Sequence, residues 1–298
     1  SIKKDIPLSG GLFFFLSILY LNFKYLEDLS ILFYIFPLAV IGFFSDKNFL
    51  RKPILRLILQ SIILFFVIKI LDIFILPERM SILETVLSIK IFNNFFILFC
   101  LLVLINGSNF LDGLNGLSSG YYLLIIISIL LTEPLNLLEM KNNIFASNLL
   151  IPLIIFFLFN LFDRNFMGDN GIYFLSAYIG INLIELFNNN VMYISPFYIA
   201  SLLWLPAFEN LFSIIRRLFN FKDISSPDNL HLHALLYNGI NDKLKIKFSN
   251  SLTALIILLF CIPGFVISTI YQNHSNILVG VITLNIVLYA ILYQYLKK

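Results

Sequence analysis

Three aspartates lie in short polar stretches whose residue types could handle a phosphorylated ligand. Asp46 follows Ser45 and precedes Lys47-Asn48; Asp112 closes Asn106-Gly107-Ser108-Asn109-Phe110-Leu111-Asp112-Gly113; Asp169 sits in Phe166-Met167-Gly168-Asp169-Asn170-Gly171. A fourth stretch carries Arg216-Arg217 and then Ser226-Pro227-Asp228-Asn229-Leu230-His231-Leu232-His233. Glycine lets the backbone approach a ligand closely, and a helix starting behind it turns N–H groups toward an anion. Carboxylates repel phosphate, whereas arginine offers it forked hydrogen bonds. Both sets can serve one ligand when a divalent cation bridges them, because Mg²⁺ takes one or two carboxylates and completes its shell with phosphate oxygens and water. The chemistry indicated is a site for a diphosphate with Mg²⁺, or Mn²⁺ in its place. Each piece alone has a plainer use. Asp-Gly is a common turn, paired arginines anchor a helix end, and Asn106 or Asn109 could cap the helix beginning near Leu117.

These stretches are held apart by long apolar runs. The chain has 298 residues, 59% of them hydrophobic and only 12% charged, with a mean hydropathy of +0.92. A soluble domain carries about 25% charged residues, so a water-soluble globule is excluded. Ten runs approach the length of about 20 residues that crosses a bilayer as a helix: 11–26, 30–44, 55–76, 91–105, 117–132, 146–162, 172–187, 191–211, 251–271 and 276–296. They are continuously apolar and lack the alternation of a transmembrane barrel strand. No cleavable signal peptide is evident, and Cys100 and Cys261 lie inside apolar runs as small buried hydrophobes. The expected fold is all-α: a polytopic membrane protein of about ten helices, one domain over residues 1–298.

With ten spans the connecting segments fall into two sets. With charges near a span end assigned to the nearer segment, residues 1–10, 45–54, 106–116, 163–171, 212–250 and the C-terminal tail take fifteen Lys and Arg, and the intervening set takes four. The positive-inside rule places the first set in the cytoplasm, and that set contains every stretch described above. Lys69 and Asp72 form a local pair near an outer span end. No nucleic-acid partner is expected.

Asn106-x-x-Asn109-Phe110-x-Asp112-Gly113-x-x-Gly116, Phe166-Met167-Gly168-Asp169-x-Gly171 and Ser226-Pro227-Asp228-x-x-His231-Leu232-His233 together resemble the polyprenyl-phosphate N-acetylhexosamine-1-phosphate transferases. That family includes phospho-N-acetylmuramoyl-pentapeptide transferase and the undecaprenyl-phosphate N-acetylglucosamine-1-phosphate transferases. Order, spacing and sidedness agree over essentially the whole chain. Asp5-Ile6-Pro7 with Gly10-Gly11 looks like the segment after the family's first helix, so that helix is expected to be missing here. The resemblance implies a multi-pass protein of the bacterial inner membrane with its active site in cytoplasmic loops. It implies transfer of an N-acetylhexosamine-1-phosphate from a UDP-sugar to undecaprenyl phosphate, releasing UMP, at the start of O-antigen, capsule or wall-glycan assembly. It assigns Asp169 to Mg²⁺, Asp46 to the acceptor phosphate as orienting group or base, and Asp112 with Asn106 and Asn109 to the nucleotide diphosphate. His231, His233 and Arg216 would hold phosphates or the uridine end, and a homodimer is compatible with the family.

The chain departs from the family pattern at Ser45, where a second aspartate is usual, at Ala234, where a third histidine often stands, at Ile172, and at Glu209, where aspartate is common. The missing histidine at Ala234 and the adjacent Ser226-Pro227-Asp228 favour the O-antigen or capsule branch over the peptidoglycan branch. The rival from another class is a secondary transporter for an anionic solute, which would keep its polar groups near the midplane in broken helices.

Overall fold

The computed structural model describes residues 7–25, 29–79, 83–132, 144–219, 230–244 and 248–297, and these are helical almost throughout. In chain order the helices are α1 Gly10–Lys24, α2 Ser30–Asp46, α3 Pro53–Ile70, the single turn α4 Glu84–Leu87, α5 Lys90–Leu111, α6 Leu117–Leu131, α7 Ile144–Leu161, α8 Gly168–Asn189, α9 Pro196–Leu202, α10 Trp204–Phe219, α11 Leu232–Leu244, α12 Ser249–Ile270 and α13 Ser275–Lys297. The segment Ser226-Pro227-Asp228 and residues 1–6, both singled out in the sequence, lie outside the described residues.

Each of the ten apolar runs forms helix over most of its length. Helices α3, α5, α7, α8, α12 and α13 are long and apolar enough to cross a membrane, and α9 with α10 add a seventh span if the bent pair counts as one. α1, α2 and α6 are shorter apolar helices of 15, 17 and 15 residues. The protein is an all-α polytopic membrane protein. Pro37, Pro152 and Pro263 stand inside helices, a placement that membrane helices tolerate better than soluble ones. α8 is 89% buried along its apolar window, whereas α3 and α13 are 22% buried along theirs. α8 is therefore the central post, and the peripheral helices turn residues such as Phe66, Leu284 and Ile291 outward.

The expected continuous span over 191–211 is instead broken at Leu203, where α9 and α10 meet at 72°. Pro206 explains the break, because it has no N–H to give the Leu202 carbonyl. Tyr121 fills the gap: its hydroxyl donates to Leu202 O at 2.9 Å and accepts from Leu205 N at 3.3 Å. α10 then runs to Phe219, so Arg216 and Arg217 belong to a helix and not to the expected loop. Asn106 and Asn109 likewise lie within α5, not in a loop after it, and neither caps α6, which has no side-chain cap. The run 55–76 leaves the helix after Ile70.

α10 is amphipathic in an unusual sense. Glu209, Asn210, Ser213, Arg216 and Arg217 are buried, while Leu211, Ile215, Leu218 and Phe219 are exposed. A helix with that pattern turns its apolar face to lipid and its charged face to the protein interior.

The connections gather at two ends. At one, Asp46 meets Asp169 and Asn115 meets Asp163. At the other, Leu76 N donates to Asn188 Oδ1 at 3.0 Å and Ser195 N to Gln272 O at 2.8 Å. Among the described residues these pairings follow the two sets that charge counting produced.

Candidate functional site

The site begins where the C-terminus of α2 meets the N-terminus of α8. Asp46 accepts from Asp169 N at 2.9 Å on Oδ1, and from Asn170 N at 3.2 Å and Asn170 Nδ2 at 2.6 Å on Oδ2. A carboxylate placed there satisfies N–H groups that the helix leaves unbonded and complements its dipole. The helices approach so closely because residue 42 is glycine: a Cβ on Gly42 would stand 2.4 Å from Asn170 N. The Asn170 side chain also donates to Leu8 O at 3.2 Å and accepts from Gly11 N at 2.6 Å, binding the start of α1 to the site.

Asp169 then projects from the first turn of α8. Its Oδ2 receives Ser45 Oγ at 2.5 Å, Arg56 Nη1 at 2.8 Å and Tyr173 OH at 3.1 Å. Arg56 also donates to Ser45 Oγ at 2.7 Å. Ser45 thus stands between two charged groups of opposite sign. Asp112, just past α5, accepts from Ser118 Oγ at 2.6 Å. Burial pushes its carboxyl up to about 8; the charges of Asp169 and Asp46 push the same way, against hydrogen bonds from Ser118 and the Gly168 N–H. The three carboxylates predicted to converge therefore share one environment. The loop carrying Asp112 is held by Asn250 Oδ1, which accepts from Asn115 N at 2.7 Å, and by Asn160 Oδ1, which accepts from Gly116 N at 2.5 Å.

A second cluster adjoins that loop. Buried Glu209 on α10 faces His231, whose Nδ1 lies 3.1 Å from Oε2, and His233, whose Nδ1 lies 4.0 Å from Oε1. The two imidazoles stack at 5.4 Å between centroids, and Phe110 lies 4.6 Å from His231. His233 Nε2 abuts Gly113, the residue after Asp112: a Cβ there would stand 2.6 Å away. Burial holds the His233 imidazole down at about 4, opposed by Glu209 and reinforced by His231. Arg216 donates to Leu230 O and, at 3.3 Å, to Tyr293 OH. Hence the histidine and aspartate stretches meet at loop 112–116, as the sequence suggested.

Residues 29–187 match the profile of glycosyl transferase family 4, just over half of the chain. The chain belongs to glycosyl transferase family 4. It is 32% identical over 151 residues to a probable undecaprenyl-phosphate N-acetylglucosaminyl 1-phosphate transferase of Bacillus subtilis, covering 47% of this chain and 40% of that protein. It is 26% identical over 231 residues to an undecaprenyl-phosphate alpha-N-acetylglucosaminyl 1-phosphate transferase of Thermotoga maritima, covering 77% of this chain and 67% of the relative. To a phospho-N-acetylmuramoyl-pentapeptide-transferase of Petrotoga mobilis it is 28% identical over 194 residues, 60% of each chain. The matched part thus spans from two fifths to two thirds of these relatives' lengths.

Within this family 4 member one predicted residue is engaged away from the carboxylates. Asn106 donates to Leu102 O at 2.8 Å and to Gln60 Oε1 at 3.3 Å, which bonds α5 to itself and to α3. Asn109 is half-buried one turn further on. Four residues went unrecognised as site members: Arg56, counted only as a topological charge, Tyr173, Ser118 and Asn170. The Tyr173 spacing of four from Asp169 is the one local signal among them, since it places both on one helix face.

Among the described residues no three His, Cys, Asp or Glu side chains are grouped closely enough to hold a metal ion. The donor set nevertheless fits a cation bound mainly by phosphate, which needs only one or two carboxylates. Asp169 receives its three side-chain donors on Oδ2, which leaves Oδ1 for another ligand. Asp112, half-buried with two other acids nearby, is a carboxyl that gains from added positive charge. Without a cation the folded protein holds the Asp112 proton more tightly than the unfolded chain does. That contribution to stability is complete below about 4 and is lost as pH rises through about 8. In EDTA, the thermal midpoint is expected to fall as pH is raised from about 4 to 8, and Asp112→Asn to flatten that fall. An equal slope in the variant would contradict the assignment.

Proposed function

We propose that this chain transfers an N-acetylhexosamine-1-phosphate from a UDP-sugar to undecaprenyl phosphate, releasing UMP. The acceptor is a membrane lipid, the donor is soluble, and residues 1–298 act as one transferase domain in the bacterial inner membrane with the site facing the cytoplasm. What carries the reading is the convergence of Asp46, Asp112 and Asp169 with Arg56 and the histidine pair at one end of the helices in a family 4 chain. The names of the relatives and the excess of Lys and Arg on that end support it. A transporter also has broken helices, but here the polar face of α10 closes on loops at one end.

In the reaction an oxygen of the lipid phosphate forms a bond to the β-phosphorus of the donor, and the bond from that phosphorus to the bridging oxygen breaks. UMP departs with the electron pair. Both reactants are anions, so positioning and charge neutralisation are the main tasks. A phosphate monoester has its second pKa near 6, so the nucleophile needs no strong base at pH 7. Asp169 would hold a divalent cation such as Mg²⁺ or Mn²⁺, which when bound would supply neutralisation of the phosphoryl oxygens. Asp46 fixes the start of α8 and so the direction of Asp169. Arg56 and Arg216 contribute positive charge, His231 and His233 hydrogen bonds, and Asp112 with Asn109 the wall of the diphosphate pocket.

Purified protein incubated with undecaprenyl phosphate, Mg²⁺ and a panel of UDP-sugars is expected to release UMP with at least one N-acetylhexosamine donor and to stop when EDTA is added. No UMP from any donor would refute the transferase reading. Turnover that EDTA leaves untouched would refute the metal role. A UDP-N-acetylmuramoyl-pentapeptide in the panel separates the peptidoglycan-type reaction from the others.

A further inference from the structure

Glu209 is 1% exposed, and a carboxylate in that position is costly unless it is paired and hydrogen-bonded. Its two oxygens are directed at Nδ1 of His231 and of His233, at 3.1 and 4.0 Å. Ser213, one turn further along α10, brings Oγ to 3.4 Å from the same His231 Nδ1. We propose that Glu209 is a positioning residue: it holds the proton of His231 on Nδ1, fixes the ring's orientation, and leaves Nε2 as the atom that meets a substrate phosphate.

A carboxylate only accepts hydrogen bonds, so the facing Nδ1 must carry a proton. When one ring nitrogen is bonded in this way, the state of the other is defined. With Nδ1 protonated, Nε2 accepts in the neutral ring and donates in the imidazolium. A phosphate arriving at Nε2 favours the imidazolium, and Glu209 behind the ring balances the added charge. The stacking of the two imidazoles and the tilted packing of Phe110 against His231 restrain rotation. His233 is the more distant partner, and its Nδ1 is buried without a hydrogen bond among the described residues. Glu209 therefore serves His231 first.

The role of Nε2 rests on the transferase reading above; the position of the proton does not, and the experiment separates them. The chain has three histidines, so ¹⁵N-histidine labelling produces few signals. His233→Gln and His274→Gln variants assign the one from His231. In the wild type, His231 is expected to show a protonated, hydrogen-bonded Nδ1, and Glu209→Gln to move that signal. In the UMP-release assay Glu209→Gln is expected to lower kcat about 10–100-fold, the range seen when the partner that orients an imidazole is removed. KM for the lipid acceptor should change less, and Glu209→Asp should restore part of the rate. An unprotonated Nδ1 in the wild type overturns the proposal without any variant. So does a folded Glu209→Gln protein with unchanged signal, or with unchanged kcat. If the wild type releases no UMP from any donor, the transferase reading fails while the Nδ1 measurement still decides what Glu209 does.

Discussion

Asp169→Asn is expected to slow UMP release by about 10²–10³-fold, since loss of cation-assisted charge stabilisation costs several kcal/mol and each tenfold is about 1.4 kcal/mol. The fold should survive. Arg56 and Asp169 are 23% and 20% exposed, and an ion pair so open to solvent contributes roughly 1 kcal/mol or less. The amide that replaces the carboxylate also keeps an oxygen to accept from Ser45 or Tyr173. The thermal midpoint should therefore drop by only about 2–4 °C. Titration of the two proteins with Mg²⁺, followed by UMP release, separates the effects: the variant should not recover at high Mg²⁺. Turnover equal to the wild type would remove Asp169 from the mechanism.

Gly107→Val is expected to have the largest structural effect. A Cβ at residue 107 would stand 1.9 Å from the Pro206 carbonyl oxygen and 2.5 Å from its carbon. Both atoms are backbone, so no side chain can swing aside. α10 would have to move off α5, and α10 carries Glu209 and Arg216. Overpacking usually costs about 1–3 kcal/mol, with more expected where only backbone can yield. The yield of folded protein and its thermal midpoint should fall together with activity. Gly280→Ala is the control, because nothing lies within 4 Å of the added Cβ, and it should leave both unchanged. A Gly107→Val protein with the midpoint of the wild type would show that the contact between α5 and α10 is looser than described.

Much of this was legible in the residues alone. Membrane helices are dictated locally, because about 20 apolar residues must satisfy their own backbone within lipid, and each of the ten runs forms helix over most of its length. Charge asymmetry sorted the connections into two sets, and the contacts among the described residues follow them. Asp46, Asp112 and Asp169 were recognisable because an aspartate beside glycine or asparagine at the end of an apolar run has little to do with packing.

What the tertiary structure alone decided is which groups meet. Arg56 and Asp169 are 113 positions apart, and Glu209 and His231 are 22 apart. Such pairings depend on the rotation and crossing of whole helices, set by contacts like Gly42 against Asn170, and no local pattern encodes them. The break at Leu203 was hidden for a related reason: Pro206 permits it, but a distant hydroxyl on Tyr121 completes the hydrogen bonds that make it stable. Asn106 illustrates the converse, since a motif position that looked directed at a ligand satisfies α3 and α5 once the neighbouring helix is in place.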